Sequence, residues 1–169
     1  MLGLQSDQML VRKFHSSDAY SLWQLQFQTI REVCLKDYSQ LQVAAWAPDV
    51  YQPQTWLARM ISHDPFIVEI DNNIAGYADI QADGYIDHFY CSKHYIGKGV
   101  GGCLMRHILS QAKANKVSRL YAQVSITAKP FFQHFGFKVI KIQTVNVRGV
   151  DLQNYVMERI TDTYRKGCD

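Results

Sequence analysis

Apolar positions along this chain follow two rhythms, and the change between them divides it into recognisable elements. Residues 9–14 predict a short first strand. Ser16, Ser17 and Asp18 then offer N-caps. Beyond them Ala19, Trp23, Phe27, Ile30 and Cys34 recur at helical spacing, which predicts a helix with these residues on one face. Ser39 and Gln42 have the spacing of a capping box for a second helix, which Pro48 ends. Pro53 suits the first turn of a third helix carrying Trp56, Leu57, Met60 and Ile61. The rhythm then shortens. Strands are predicted at 66–70, 74–81 and 85–91, with turns at Asp71-Asn72-Asn73 and Asp83-Gly84. A loop at 92–98 leads into a helix over 99–115, whose inner face is marked by Leu104, Ile108 and Ala112. A strand at 119–124, a short helix at 127–134 and a strand pair at 139–146 and 154–160, turning at Arg148-Gly149, complete the series. The order predicts an α/β protein: a mixed sheet, three of whose strands run antiparallel, with helices on both faces.

Composition narrows the picture. The chain has 169 residues, 47% of them hydrophobic and 20% charged. At roughly 150 residues per domain, a single domain spanning 1–169 is expected. Eighteen basic against 15 acidic residues leave a net charge of +3, and no Lys/Arg run exceeds two, so nucleic acid is not an expected partner. No signal-peptide pattern opens the chain and no apolar run approaches a membrane span. Cys34, Cys91, Cys103 and Cys168 form no C-x-x-C pair, which leaves no metal site expected and favours reduced thiols in the cytoplasm.

The richest segment is Tyr95-Ile96-Gly97-Lys98-Gly99-Val100-Gly101-Gly102, where a loop gives way to a helix. Glycines there let backbone approach a ligand closely, and the N–H groups of a helix start attract an anion such as pyrophosphate. Three readings compete. The glycines can serve packing alone. They can form a dinucleotide loop, since Gly97, Gly99 and Gly102 satisfy G-x-G-x-x-G; the next strand, however, lacks the acid that binds a ribose. They can hold the pyrophosphate of coenzyme A.

The third reading is carried by a resemblance. Residues 91–101 resemble the loop V-x-P-x-x-Q/R-G-x-G-x-G of the GNAT superfamily of N-acetyltransferases. The three alternating glycines match, while Cys91, Lys93 and Ile96 stand at the Val, Pro and Q/R positions. Ala128-Lys129-Pro130-Phe131-Phe132-Gln133-His134-Phe135-Gly136-Phe137 resembles that family's A-x-x-L/F-Y-E-K-x-G-F. Lys36-Asp37-Tyr38-Ser39, Ala45-Trp46-Ala47-Pro48 and the tail over 144–157 are similar to a small bacterial branch. The resemblance spans about residues 10–158.

It implies a GNAT-like fold in which acetyl-CoA lies between two splayed parallel strands, here 85–91 and 119–124. Cofactor contacts are implied for Phe89, Tyr90, Cys91, Ile96, Gly97, Lys98, Gly99, Val100, Gly101, Gly102, Ser125, Phe131 and Phe132, with a backbone N–H near Cys91 facing the developing oxyanion. A carboxylate or imidazole must take the amine proton. Asp87 and His88 are the candidates, and strand alternation puts them on opposite faces. The family's usual acid, a Tyr, maps to Phe132, which leaves Tyr121, Tyr90 and Ser125 as polar groups near the thioester. Trp23, Tyr38, Trp46 and Tyr51 are expected to wall the acceptor site, with Glu32 or Asp37 supplying charge for a cationic amine. The expected activity is transfer of acetyl from acetyl-CoA to a primary amine, small molecule or peptide, by direct attack in a ternary complex. The alternative is a non-catalytic acyl-CoA-binding module. The last strand pair offers an edge for a homodimer.

Overall fold

The computed structural model describes residues 8–161. Cys168 and the basic pair Arg165-Lys166 lie outside the described residues. Strand β1 (Met9–Lys13) leads through a 3-10 turn (Ser16–Asp18) into helix α1 (Ala19–Gln28). This helix runs on as a π-helical turn (Thr29–Val33) and a 3-10 turn (Cys34–Lys36). Helices α2 (Gln40–Trp46) and α3 (Pro53–His63) follow. The capping box at Ser39 and Gln42 forms as the spacing predicts.

Strands β2 (Phe66–Ile70), β3 (Asn73–Ala78), β4 (Tyr85–Ile86) and β5 (Phe89–Cys91) come next, then helix α4 (Val100–Ala114). Strand β6 (Arg119–Ser125), helix α5 (Lys129–His134) and the long hairpin β7 (Lys138–Val147) and β8 (Val150–Ile160) close the described chain.

The strands form two four-stranded sheets rather than one. The first has the order β1-β2-β3-β5 and is antiparallel throughout. The second has the order β4-β6-β8-β7, with β4 and β6 parallel. The predicted strand at 85–91 is thus two strands. Its first half pairs with β6 in one sheet, and its second half pairs with β3 in the other.

Alternation along β2 sorts the core into layers. Phe66, Val68 and Ile70 face α4, whose Val100, Leu104, Met105, Ile108 and Ala112 form a buried stripe. Ile67 faces the other way, onto Leu22, Leu25 and Met60 of α1 and α3. Burying one such aliphatic side chain is worth about 1.5–3 kcal/mol, so the two layers fix α4 and α1 on opposite faces of the first sheet.

The expected inner face of α1 is partly wrong. Leu22 and Leu25 face the core, while Trp23 and Phe27 turn toward a cleft. The π-helical turn resets the phase, so Ile30 and Cys34 point inward again, against Tyr38, Val43 and Leu152.

The parallel pairing depends on Gly84. Its φ of +90° is left-handed, and a Cβ there would lie 1.9 Å from the carbonyl oxygen of Arg119. Gly84 also accepts the Tyr121 N–H at 3.1 Å, starting the β4–β6 contact. Gly84→Ala is expected to cost at least about 2 kcal/mol of stability, through strain and a backbone clash. Chemical denaturation measures it; an unchanged midpoint would contradict this account.

Candidate active site

The site begins where the two sheets part. Strand β4 pairs with β6 only at Tyr85↔Tyr121 and Ile86↔Ala122. Past Ile86 the chain leaves β6 and joins β3, while β6 continues through Gln123, Val124 and Ser125 with only β8 beside it. The facing edges of β5 and β6 therefore open into a V. His88 O accepts from Asp79 N at 3.1 Å and Ser92 N donates to Ala75 O at 2.8 Å, so the even positions of this stretch face β3. By alternation the backbone groups of Phe89 and Cys91 face the opening. Thr29 Oγ1, on the π-helical turn, donates to Cys91 O at 2.9 Å and so ties α1 across the V.

The strand break is held by Asp79, which has no exposed surface. One of its carboxylate oxygens accepts from Asp87 N at 3.0 Å, and the other meets His88 Nδ1 at 2.5 Å. Since a carboxylate only accepts, Nδ1 carries the proton and Nε2 is left as the ring's acceptor. Asp87 sits beside this pair. Its Oδ2 takes Arg59 Nη2 at 3.0 Å and His63 Nε2 at 2.8 Å. Burial alone would raise its pKa, but attraction from His88, Arg59 and His63 outweighs this, and the carboxyl lies below its usual value.

Both Asp87 and His88 line a cleft of about 710 Å³. The walls are Trp23, Phe27, Tyr38, Trp46, Trp56 and Tyr90, with Ser125 at the β6 side. Tyr51 packs on Trp23, with ring centroids 4.8 Å apart. Tyr38 ties the wall together: its hydroxyl donates to Gln153 O at 2.7 Å and accepts from Ile126 N at 2.9 Å. Burial pushes this phenol up to about 12.

Beyond β5, residues 96–102 form the glycine loop. Gly97 and Gly99 have φ of +79° and +84°; a Cβ on Gly97 would meet no atom within 4 Å, and one on Gly99 only Met9 Cε at 3.6 Å. Ile96 and Lys98 are exposed beside them, and Val100 is buried. The first helical bond runs from Cys103 N to Gly99 O, so the N–H groups of Val100, Gly101 and Gly102 have no acceptor within the helix. This open, donor-rich cradle at the start of a 15-residue helix fits a pyrophosphate. Gly101 serves packing as well, since its Cβ would stand 3.0 Å from the Phe131 ring.

Several expected site residues stand elsewhere. Tyr121 is outside the cleft and donates its hydroxyl to Asp83. Phe132 is buried among Phe89, Phe131 and Phe137, so it belongs to the core. Glu32 pairs with Lys93, Asp37 accepts from Thr127 Oγ1 at 2.8 Å, and neither lines the cleft. Ser125 lines it, but its Oγ accepts from Ala128 N at 3.1 Å and anchors the start of α5. Sequence reasoning missed Asp79, Arg59 and His63. The one signal for Asp79 was a carboxylate among the apolar residues of 74–80.

A split pair of parallel strands followed by a glycine cradle defines an acyltransferase of the kind the sequence motifs suggest. The sequence profile of the family described as "Acetyltransferase (GNAT) domain" matches residues 34–159, and the chain belongs to that family of N-acetyltransferases. It is 26% identical over 147 residues to the uncharacterized N-acetyltransferase YafP of Escherichia coli, covering 87% of this chain and 93% of the relative. A GCN5-related N-acetyltransferase from Rhodopseudomonas palustris superposes with a TM-score of 0.85 at 25% identity, over 89% of this chain and 94% of the other. YncA, a putative acetyltransferase from Salmonella typhimurium solved with its cofactor acetyl-CoA, superposes with a TM-score of 0.70 at 18% identity, over 95% and 98%.

Gly99→Val is expected to weaken acetyl-CoA binding at least about tenfold, because a branched side chain closes the cradle and its left-handed φ is strained. Calorimetric titration measures it. The free protein's Tm should fall by only about 2–4 °C, the effect of roughly 1 kcal/mol in a domain of this size. Unaltered acetyl-CoA affinity would place the cofactor elsewhere.

Proposed function

We propose that the chain transfers acetyl from acetyl-CoA to a primary amine by direct attack, with the cleft at Asp87 and His88 as the acceptor site. The observation that carries this reading is the V between β5 and β6, which brings the cleft and the glycine cradle to the two sides of one opening. Acetyl-CoA would lie with its pyrophosphate on Gly97, Gly99, Val100, Gly101 and Gly102. Its pantetheine arm would run past the backbone of Phe89 and Cys91. The Cys91 N–H is then the donor for the oxyanion that forms as nitrogen attacks the thioester carbon.

An ammonium group is not a nucleophile, so the proton must leave first. His88 is better placed than Asp87 to take it. Asp87 is occupied by Arg59 and His63 and is held in its ionised, weakly basic form. His88 lines the cleft, with Nδ1–H fixed on Asp79 and Nε2 available as base. Asp79 fixes the tautomer without touching substrate, which makes it a positioning residue. On collapse of the tetrahedral intermediate the C–S bond breaks and the thiolate leaves. A thiol of pKa about 8.5 leaves readily near neutral pH, so Phe132 in place of a tyrosine does not prevent turnover.

The whole chain is read as one catalytic domain working in the cytoplasm. Cys34, Cys91 and Cys103 are free thiols, which supports a reducing compartment. No helix among the described residues is long and apolar enough to cross a membrane. Strand β7 lies at the edge of its sheet with Ile140 and Ile142 exposed, which supports a second copy as a pairing partner.

A thiol-release assay with acetyl-CoA and a panel of primary amines tests the reaction. His88→Gln is expected to lower kcat by about 10²–10³ with the KM for acetyl-CoA nearly unchanged, as removal of a general base does. Raising the pH should recover part of the loss by supplying free amine. Asp87→Asn is expected to cost less than His88→Gln; the reverse order would return the base to Asp87.

A further inference from the structure

The cleft has a charge pattern that bears on what it accepts. Its fixed charges are Arg59, Asp87 and Arg148. Asp87 already lies against Arg59 and His63. Arg148, at the β7–β8 turn, donates Nη1 to the carbonyl oxygen of Ala45 at 2.8 Å, and among the described residues no carboxylate forms an ion pair with it. The carboxylates that might have met a cation are spent elsewhere. Glu32 lies against Lys93, Asp37 against Thr127, and Asp49 against Arg31 at 3.0 Å. Two guanidinium groups therefore share the cleft with one carboxylate that is already compensated.

A polycation entering this cleft meets like charge and finds no unengaged carboxylate among the described residues. An anion meets an arginine whose backbone bond leaves its charge unbalanced. The guanidinium fork matches a carboxylate in two parallel hydrogen bonds, and Arg148 is solvent-exposed where it lines the cleft, open to an incoming anion. Arg148 is also held in place. Its φ of +48° is uncommon for a residue with a Cβ, and the bond to Ala45 steadies the side chain across the mouth of α2. The three tryptophans of the chain, Trp23, Trp46 and Trp56, all line the cleft, together with Phe27, which favours a large flat apolar body. A neutral acceptor is available too: Asn154 Oδ1 is buried without a hydrogen-bond partner, and Asn154 lines the same cleft.

We infer that the acceptor is an aromatic or bulky apolar primary amine that also carries a carboxylate, gripped by Arg148, and that polyamines and aminoglycosides are poor acceptors. The inference rests on the reading of this cleft as the acceptor site of acetyl transfer.

Binding tests it without requiring turnover. The full chain, saturated with coenzyme A, is titrated with 3-phenylpropionate and with its uncharged partner 3-phenylpropanamide, following tryptophan fluorescence. The carboxylate is expected to bind at least about tenfold more tightly at low ionic strength, and Arg148→Gln should abolish the preference, while Arg148→Lys retains part of it. Thermal midpoints check that each variant is folded. Equal affinity for the two probes, or a preference that survives Arg148→Gln, overturns the inference. Kinetics with phenylalanine, phenethylamine and spermidine separate it from the reading beneath it. Turnover that favours spermidine or phenethylamine overturns the acceptor class and leaves acetyl transfer standing. The expected probe binding with no amine acetylated upholds the anion grip and removes the cleft's role as an acceptor site.

Discussion

One buried carboxylate sets the geometry on which the site depends. Asp79 has no exposed surface, so each of its oxygens must find a hydrogen bond or cost several kcal/mol. It finds them at Asp87 N and His88 Nδ1, at the junction between β4 and β5. Both partners lie just past the last β4–β6 pair, where the strand's alternation slips: Gly84 O faces β6, whereas His88 O faces β3. The ladder stops, β5 turns to β3, and the edges of β5 and β6 are left facing one another across a gap. The same carboxylate fixes the ring of His88. A single pair of hydrogen bonds thus holds the junction between the two sheets and orients the ring proposed as the base.

The molecule treats negative charge in two ways. In the glycine loop the donors are uncharged amides at the start of α4, fixed by the helix and independent of pH. In the cleft the donors are guanidinium groups, one balanced by Asp87 and one bonded to a carbonyl. The first arrangement suits a cofactor whose pyrophosphate is always the same. The second depends on side chains carried by α3 and by the β7–β8 turn. The net charge of +3 does not say where charge stands in the molecule. What matters is where a few of those charges stand.

Much of the fold was legible because it rests on local rules. The capping box at Ser39, the stripe of Leu104, Ile108 and Ala112, and the turn at Arg148-Gly149 all follow from residue type and spacing. The glycine loop was legible for the same reason. The break between β4 and β5 was not, because 85–91 reads as one strand-length segment and the carboxylate bonded at the break is Asp79, eight residues before Asp87. The cluster around His88 was invisible on similar grounds: Arg59 and His63 come from α3, and no sequence spacing joins them to β4. Ala19, Trp23, Phe27, Ile30 and Cys34 read as a single face because helical periodicity reports one apolar face, whereas α1 presents one to the sheet and another to the cleft. The acids proposed for an amine failed because a charge in sequence carries no record of its partner in space.

Phe132 shows how core packing and chemistry compete for one position. A tyrosine hydroxyl here would need a partner, yet the ring is 3% exposed and lies against Phe89 at 5.4 Å and Phe137 at 5.0 Å. Each aromatic contact of this kind adds about 0.5–1.5 kcal/mol beyond burial, and a lone buried hydroxyl costs a similar amount or more. Phe89 belongs to the strand whose backbone faces the V, so tight packing on Phe132 steadies one wall of the opening. The chemistry tolerates the exchange because the group that departs is a thiolate, stable enough near neutral pH to leave without a proton held ready for it. The amine has no such freedom, since its proton must be gone before nitrogen can attack. A site with one positioned proton acceptor and no dedicated donor is therefore the simpler of the two asymmetric solutions, and in the proposed reading His88 on Asp79 supplies the half that transfer to an amine requires.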